Sequence, residues 1–327
     1  MRFLGDEKSS YDPGYRPLQD EDFEALSKAE VFEIANDMQD SRLSLAGAQS
    51  KTGWFLPRGK DAKKAGSGDW MLPLGSAPST HIVKIASTKH PDLPFNELIC
   101  MTAASAAGLE IARSEASDTI PGAFFSERYD RIWSNEPPSM SGFDVPLRLH
   151  QEDFCQAVGW PSYMKYETRP DSCYMALCGR LIREQSSNVI ADTQMFARQV
   201  MVDYALGNCD SHLKNHSFLY SPSWREKRLA PAYDIVCTTI MGYDHNLGID
   251  IGDHRVIDGV TPEDFEFMSQ DLHLPLKMIK NIAAEVAEEV SAQLAELASA
   301  TGDLGRVALK IQTDSVERMR VLEEFSA

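Results

Sequence analysis

The first part of the chain has short runs of alternating apolar and polar residues, a pattern that is typical of strands. Residues 41–56 predict a strand, a turn of small residues and a second strand. Residues 81–86 predict another strand, and residues 120–133 predict two further extended pieces. Apolar residues recur at helical spacing over residues 95–107, and Gly108 directly follows them. A glycine there commonly ends a helix, so one main helix is expected among these strands.

From residue 134 onward the apolar spacing becomes helical. Residues 134–145 contain Pro137 and Pro138 and predict a loop, which marks the change in composition. Helical spacing extends over residues 151–158, 192–207, 281–300 and 305–325, and residues 261–264 read as a capped helix start. We therefore expect two lobes, with residues 1–131 forming a β-rich lobe and residues 132–327 forming an α-helical lobe.

The composition is that of an ordinary globular protein of 327 residues, with 43% hydrophobic and 25% charged residues. A formal charge of −17 argues against direct binding of nucleic acid, which needs a basic face. The six cysteines include no Cys-x-x-Cys pair, and we interpret them as reduced thiols of a cytoplasmic protein. The N-terminus lacks the apolar run of a signal peptide, and no apolar stretch reaches the length of a membrane span.

The most informative segment is Gly-Asn-Cys-Asp-Ser-His-Leu-Lys-Asn at residues 207–215. Asp210 and Asn215 lie five positions apart, which is the spacing of the base and the metal-binding amide in the catalytic loop of protein kinases. Asp234 follows nineteen residues after Asn215 and is a second candidate ligand for magnesium. The alternative is a polar turn after a helix, because this spacing also occurs by chance.

Two candidate phosphate-binding elements precede this segment. Small residues at 44–52 would let successive backbone N–H groups approach phosphate oxygens closely. Lys84 lies between apolar strand residues, as the phosphate-binding lysine of kinases does, and Glu97 could pair with it. Each element also has a plainer interpretation, which is a hairpin turn for residues 44–52 and a sheet-edge lysine for Lys84.

Other chemistries receive less support. His212 and His216 lie four positions apart, but the zinc protease pattern needs Glu directly after the first His, and Leu213 stands there. His212 could instead orient the loop or contact a phosphate, and a purely structural histidine is equally compatible with the sequence. Acyl transfer is not supported, because the chain has no Gly-x-Ser-x-Gly elbow.

Taken together, these segments resemble the HipA family of bacterial serine/threonine kinases, the toxins of toxin–antitoxin pairs. The resemblance covers about residues 41–240. The matching segments are the phosphate loop at 44–52, a Thr-His-Ile-Val-Lys strand at 80–84, Asn-Glu at 96–97, a Glu-Arg-Tyr-Asp-Arg hinge at 127–131, Arg-Leu-His-Gln-Glu-Asp-Phe-Cys-Gln at 148–156, Lys-Tyr-Glu at 165–167, the loop at 207–215 and Leu-Ala-Pro-Ala-Tyr-Asp at 229–234.

The resemblance implies an α+β, bilobal protein-kinase-like fold that uses ATP and Mg²⁺. It implies Asp210 as the catalytic base, and Asn215 with Asp234 as the metal ligands. Residues implied in nucleotide binding are Ala46, Gly47, Ala48, Gln49, Ser50, Lys51, Lys84, Glu127, Arg128, Tyr129, His212, Leu213, Lys214, Asn215, Tyr233 and Asp234. Glu127, Arg128 and Tyr129 would present their backbone to adenine. Ser44 matches the family's autophosphorylation site, and Ser41 is a nearby second candidate; phosphate there would compete with ATP for the same amides.

By resemblance, the chain would transfer the γ-phosphate of ATP to a protein target, with an aminoacyl-tRNA synthetase as the implied target, and to its own phosphate-loop serine. The implied partner is a helix-turn-helix antitoxin that binds DNA. Only some forty residues precede the phosphate loop, as in the short form of the family, so a separate small protein could replace an N-terminal subdomain. The alternatives are an inactive kinase-like module that binds or represses a partner, and a kinase for a small molecule. The glycine-rich segment expected after residue 167 is absent, which leaves the target open.

Overall fold

The computed structural model describes residues 12–28, 51–86, 91–168 and 172–327. The described residues form two compact units. The first unit comprises the residues up to Pro94 together with Arg113–Arg148, and the second comprises Phe95–Ala112 together with Leu149–Ala327. The predicted lobe boundary at residue 131 lies within the first unit, and residues 95–112 belong to the second unit rather than to the strands around them.

The first unit is built on a four-stranded antiparallel sheet of β2 (Lys51–Trp54), β4 (His81–Ile85), β6 (Ala123–Glu127) and β5 (Ser114–Ala116), in that spatial order. Among the described residues of this unit, three short pairs of strands and one helix accompany the sheet. They are β1 (Gly14–Pro17) with β3 (Met71–Leu74), β7 (Arg131–Ile132) with β10 (Leu147–Arg148), β8 (Ser139–Met140) with β9 (Phe143–Asp144), and α1 (Asp20–Lys28).

One face of the four-stranded sheet carries an aromatic core. Trp54, Trp70 and Phe125 are fully buried, and the rings of Trp70 and Phe125 have centroids 4.6 Å apart. Val83 lies on the same face of β4 and packs into this core. Because side chains alternate across a strand, Lys84 lies on the opposite face.

The second unit is mostly helical. Its helices are α2 (Leu93–Ala106, which begins two residues before the unit does), α3 (Phe154–Ala157), α4 (Tyr174–Gln185), α5 (Val189–Leu206), α6 (Pro262–Asp271), α7 (Leu276–Ala298) and α8 (Gly302–Ser326). Its strands are β11 (Gln151–Asp153), β12 (Ser217–Tyr220), β13 (Lys227–Leu229), β14 (Asn246–Ile251) and β15 (His254–Val256). Helices α7 and α8 pack along each other, and both contact α5.

The local sequence explains several of these boundaries. Thr261 and Asp264 form a reciprocal capping box around Pro262, which confirms the predicted start of α6. Helix α7 buries Ile279, Ile282 and Val286, at helical spacing, against its neighbours. The helix predicted over residues 151–158 is wrong for its first three residues, which are strand. They form β11 because they pair with β12, and Asp153 then caps the short helix α3.

Within the described part of the chain, no helix is both long enough and apolar enough to cross a membrane. All six cysteines are free thiols, and five of them are buried. Ser41 and Ser44, together with Ala46, Gly47, Ala48, Gln49 and Ser50, lie outside the described residues.

Candidate active site

The loop at residues 207–215, called here the 207–215 loop, begins where α5 ends. Gly207 ends the helix with a left-handed backbone, φ 74°. Its backbone N–H donates to the carbonyls of Asp203 and Tyr204 in the last turn of the helix. A Cβ at this position would collide with the hydroxyl of Thr239 and lie 2.8 Å from Nη2 of Arg318. Both the backbone conformation and the close packing therefore require glycine at this point.

A buried carboxylate in the last turn of α5 supports the first half of the loop. Asp203 is 4% exposed, and its two oxygens accept hydrogen bonds from Asn208 Nδ2 (2.7 Å) and Ser211 Oγ (2.6 Å). Burial raises the pKa of Asp203 to about 7, although both hydrogen bonds oppose this. Thr238 binds the loop from its other side, because its hydroxyl accepts from the N–H of Cys209 and donates to the carbonyl of Gly207.

Asp210 and Asn215 are brought together by a direct contact. Asn215 Nδ2 donates a hydrogen bond to the backbone carbonyl of Asp210 over 2.8 Å. The Asp210 side chain is 54% exposed, so one face of its carboxylate can meet a substrate hydroxyl. On its other side, the phenol of Tyr166 donates to Asp210 Oδ1 over 2.5 Å. The predicted base is thus an exposed carboxylate whose backbone and side chain are both held in place.

The two histidines of this region are buried and neutral at ordinary pH. Burial lowers the pKa of His212 to about 4; Asp210 opposes this shift, and Lys165 adds to it. His212 Nε2 lies 4.0 Å from Asp210 Oδ1, and its ring packs edge-on against Tyr166. Burial lowers the pKa of His216 to about 3, and its ring lies among Phe154 and Phe196. His212 and His216 do not form a zinc-binding pair. His216 packs among aromatic rings, and its Nε2 faces the hydroxyl of Ser211.

Lys214 and Tyr233 connect the second half of the loop to the rest of the unit. Lys214 Nζ forms an ion pair with Asp153 Oδ2 at 2.7 Å. The Tyr233 hydroxyl donates to the carbonyl of Lys214 over 2.8 Å, so the 2.6 Å contact with Ser217 must have Ser217 Oγ as its donor. Leu213 is fully buried. These three predicted nucleotide contacts therefore have well-defined structural roles, and their contact with a nucleotide stays a prediction.

Asn215 and Asp234 are the residues of the second unit that could hold magnesium. Asn215 uses its amide nitrogen on Asp210, which leaves the hard oxygen Oδ1 as the atom to face a cation. Asp234 adopts a left-handed backbone, φ 61°, which is rare for a residue with a side chain and typical of functional positions. Its negative charge also acts on His212, which places Asp234 near the 207–215 loop. No group of three His, Cys, Asp or Glu side chains able to hold a metal occurs among the described residues.

In the first unit, two lysines lie side by side on one face of the sheet. Lys51 on β2 and Lys84 on β4 are direct cross-strand partners, so their side chains project from the same face. That face is opposite to the one that packs into the aromatic core. Lys84 is only 5% exposed. Glu97, its predicted partner, lies on α2 in the second unit and is also buried.

The predicted hinge lies at the end of β6. The backbone N–H of Glu127 donates to the carbonyl of Arg113, and that of Arg128 donates to the carbonyl of Thr80. The Arg128 guanidinium forms two hydrogen bonds with the carboxylate of Asp130. Both N–H groups are thus used within the unit, and the carbonyl of Arg128 accepts from the N–H of Arg131. Adenine binding by Glu127, Arg128 and Tyr129 stays a prediction.

Three supporting residues were missed as site residues from the sequence. Tyr166 lies 44 positions from Asp210, and Asp153 lies 61 positions from Lys214. Both fall within segments that match the family, which was the available signal. Asp203 lies on the buried side of α5, one turn before Gly207, and no sequence motif singles it out.

The α+β architecture and the 207–215 loop define a protein of the kinase-like class. The family model described as HipA-like C-terminal domain matches residues 43–294, and the chain belongs to this family. A solved complex of HipA, HipB and operator DNA from Shewanella oneidensis has the same fold. It superposes with a TM-score of 0.69 at 23% identity and covers 99% of this chain and 75% of that chain.

Among the proteins similar to this chain in sequence are two from different bacteria. The putative kinase Y4mE of Sinorhizobium fredii is 26% identical over 315 residues, which is 93% of this chain and 70% of the relative. The serine/threonine-protein kinase toxin HipA of Shewanella oneidensis is 28% identical over 273 residues, which is 78% of this chain and 57% of that protein. These findings confirm the resemblance to the HipA family and the α+β kinase-like fold.

Proposed function

We propose that this chain is a serine/threonine protein kinase that transfers the γ-phosphate of ATP to a hydroxyl of a protein target. The observation that carries the proposal is the hydrogen bond from Asn215 to the carbonyl of Asp210, which joins a candidate base to a candidate metal ligand within one short loop. The half-exposed Asp210 carboxylate can accept the proton of an incoming hydroxyl. The names of two relatives, a putative kinase and a serine/threonine-protein kinase toxin, support the same conclusion.

The remaining predicted residues have roles in this proposal. Lys51 and Lys84 would bind phosphate oxygens with their paired positive charges. Asn215 and Asp234 would hold Mg²⁺, which neutralises negative charge on the phosphates when it is bound. Ala46–Ser50 would cradle the phosphates with backbone N–H groups, and Ser44 or Ser41 would be the site of autophosphorylation.

The biological setting is also proposed. We infer a toxin of a toxin–antitoxin pair in the cytoplasm, neutralised by an antitoxin with a helix-turn-helix DNA-binding domain. The solved complex of HipA with HipB and operator DNA supports a partner of this kind. An aminoacyl-tRNA synthetase as the target, and a separate small protein as a second partner, rest on the family resemblance.

Intact-mass spectrometry after incubation with ATP and Mg²⁺ tests the proposal. The parent chain should gain phosphate, and peptide mapping should place it on Ser44 or Ser41. Asp210→Asn keeps the size of the side chain but removes the base, so this variant should gain none. A dephosphorylated parent chain that binds ATP yet modifies neither itself nor any protein of a cell extract would favour an inactive binding module. Turnover with a small alcohol and no labelled protein would favour a small-molecule kinase.

A further inference from the structure

The inference concerns Tyr166, a residue outside the 207–215 loop that contacts its central carboxylate. The Tyr166 phenol donates to Asp210 Oδ1 over 2.5 Å, which is the length of a strong hydrogen bond to a charged acceptor. Within the described part of the chain, Tyr166 is the one side chain that donates a hydrogen bond to this carboxylate. His212 Nε2 lies 4.0 Å away, and its low pKa of about 4 means that it carries no charge to compete for Asp210.

Tyr166 is a reliable donor because it keeps its proton. Burial, and then the contact with the Asp210 carboxylate, raise the pKa of the phenol well above its ordinary value of 10. The phenol therefore stays protonated at neutral pH. Its ring is also held, since Lys165 Nζ lies 4.6 Å from the ring centroid and the His212 ring packs against it at 5.0 Å.

The backbone around Tyr166 is fastened on both sides. On one side, the carbonyl of Lys165 accepts a hydrogen bond from the N–H of Leu213, inside the 207–215 loop. On the other side, the N–H of Glu167 donates to the carbonyl of Gly248 on β14. Tyr166 therefore lies between two backbone hydrogen bonds, one to the 207–215 loop and one to β14, and neither bond involves the Asp210 side chain.

The Glu167 side chain adds a second fastening. Its Oε1 accepts from the N–H of Tyr174 at the start of α4, and its Oε2 accepts from the N–H of Asp250 on β14. Glu167 is 3% exposed, and the Tyr174 hydroxyl donates to the carbonyl of Met164 three residues earlier. These contacts hold the segment in place beside Asp210, so the packing fits a fixed support and not a removable plug.

We propose that Tyr166 is a positioning residue for phosphoryl transfer, which holds Oδ1 of Asp210 so that Oδ2 is presented to the acceptor hydroxyl. The proposal rests on the proposed function above. In that reaction the acceptor hydroxyl gives its proton to Asp210 Oδ2, and its oxygen forms a bond to the γ-phosphorus. The bond from that phosphorus to the bridging oxygen breaks, and this oxygen leaves with ADP. A carboxylate with one oxygen fixed loses little rotational freedom when it meets the acceptor.

Tyr166→Phe tests this idea, because it removes only the hydroxyl and keeps the ring on His212. Phosphate incorporation into the chain at saturating ATP and Mg²⁺ should slow on the order of 10- to 100-fold, the usual loss when a group that orients an active residue is removed. The dissociation constant for ATP should stay within about twofold of the parent value, because the phenol acts on the acceptor side of the reaction. Tyr163→Phe is the matched control, since Tyr163 is 83% exposed and should show the parent rate.

Crystal structures of the parent chain and of Tyr166→Phe give a readout that does not depend on activity. The Asp210 side chain should have a single orientation in the parent and should turn away or occupy several orientations in the variant. An Asp210 carboxylate that keeps its orientation in Tyr166→Phe overturns the inference, whether or not the parent transfers phosphate. Faster incorporation by the variant, an unchanged rate, or a parallel loss of ATP affinity also overturns it. A parent chain that incorporates no phosphate contradicts the proposed function instead.

Discussion

Asn208 donates a hydrogen bond from Nδ2 to Oδ1 of Asp203 over 2.7 Å, which ties the start of the 207–215 loop back to the last turn of α5. Ser211 binds the other oxygen of the same carboxylate, so one buried side chain supports two points of the loop. A charged carboxylate at 4% exposure is expensive to keep in the interior. The free energy of unfolding should therefore depend on the protonation of Asp203.

The first prediction concerns the pH dependence of stability. The pKa of Asp203 is about 7 in the folded chain, against an ordinary value of 3.8. Between about pH 4 and pH 7 the folded state keeps a proton that the unfolded state has lost, so this group makes the free energy of unfolding fall as pH rises. Asp203→Asn removes that contribution. Urea denaturation from pH 5 to pH 8 should show a smaller fall in stability for the variant than for the parent.

Asp303→Asn is the control for this comparison, because the Asp303 side chain is 60% exposed. Its pH dependence should match that of the parent chain. If Asp203→Asn also retains the full fall in stability between pH 5 and pH 8, then Asp203 is already ionised at pH 5 in the folded chain. Its burial would then be offset by the hydrogen bonds from Asn208 and Ser211.

The second prediction separates backbone strain from packing at a helix end. Gly207 and Gly242 both have left-handed backbones, with φ of 74° and 76°. A Cβ at Gly242 meets nothing within 4 Å, whereas one at Gly207 collides with Thr239 and approaches Arg318. Gly242→Ala should therefore cost about 1 kcal/mol from the backbone alone. Gly207→Ala should cost about 2–4 kcal/mol, because overpacking is added to the strain.

Urea denaturation midpoints of the two variants measure this difference. Equal losses would mean that Thr239 and Arg318 move aside easily, and that only the backbone selects glycine at position 207. A larger loss at 207 with reduced phosphate incorporation would link the end of α5 to the activity of the loop that follows it.

The third prediction concerns the ion pair between Lys214 and Asp153. Asp153 Oδ1 also caps α3 by accepting from the N–H of Gln156, so Asp153→Asn keeps the cap while it removes the charge. The Lys214 side chain is 31% exposed and the Asp153 side chain 11%, so solvent screens the attraction between their charges only in part. A double-mutant cycle with Lys214→Met should give a coupling energy of about 1 kcal/mol. The exposed pair of Arg306 and Asp303 should give a clearly smaller value in the same assay.

Kinetics of the same variants distinguish a structural from a ligand-binding role for Lys214. If its task is to hold the loop against Asp153, the two single variants should lower phosphate incorporation by similar factors, and the double variant should be no slower. A loss of ATP affinity confined to Lys214→Met would instead support direct contact between Lys214 and the nucleotide.

Local features of this protein were predictable from its sequence. The end of α5 at Gly207 follows from glycine alone, and the start of α6 follows from the cap at Thr261. The face that carries Lys84 follows from strand alternation. The proximity of Asp210 and Asn215 could also be predicted, because both residues lie in one short loop.

The contacts that fix the loop could not be predicted, because they join distant parts of the chain. Asp153 ends β11, which pairs with β12, and so comes within reach of Lys214. Tyr166 reaches Asp210 from a segment whose neighbours Lys165 and Glu167 bond to Leu213 and to Gly248 on β14. No local periodicity carries that information. Residues 151–153 show the same limit, since their strand exists only because β12 is there to pair with them.

The last prediction concerns the lysine pair on the sheet of the first unit. Lys84 is 5% exposed and lies beside Lys51 on the face opposite the aromatic core. In the proposed kinase reaction, this pair supplies the positive charge that binds the phosphates of ATP. Lys84→Met keeps a similar length of side chain and removes the charge, so it should weaken thermal stabilisation by ATP and slow phosphate incorporation by on the order of 100-fold or more. Lys63→Met is the matched control, because the Lys63 side chain is 50% exposed and meets Asp118 only at 3.8 Å. Parent-like ATP stabilisation and incorporation in Lys84→Met would leave Lys84 as a structural lysine of the sheet.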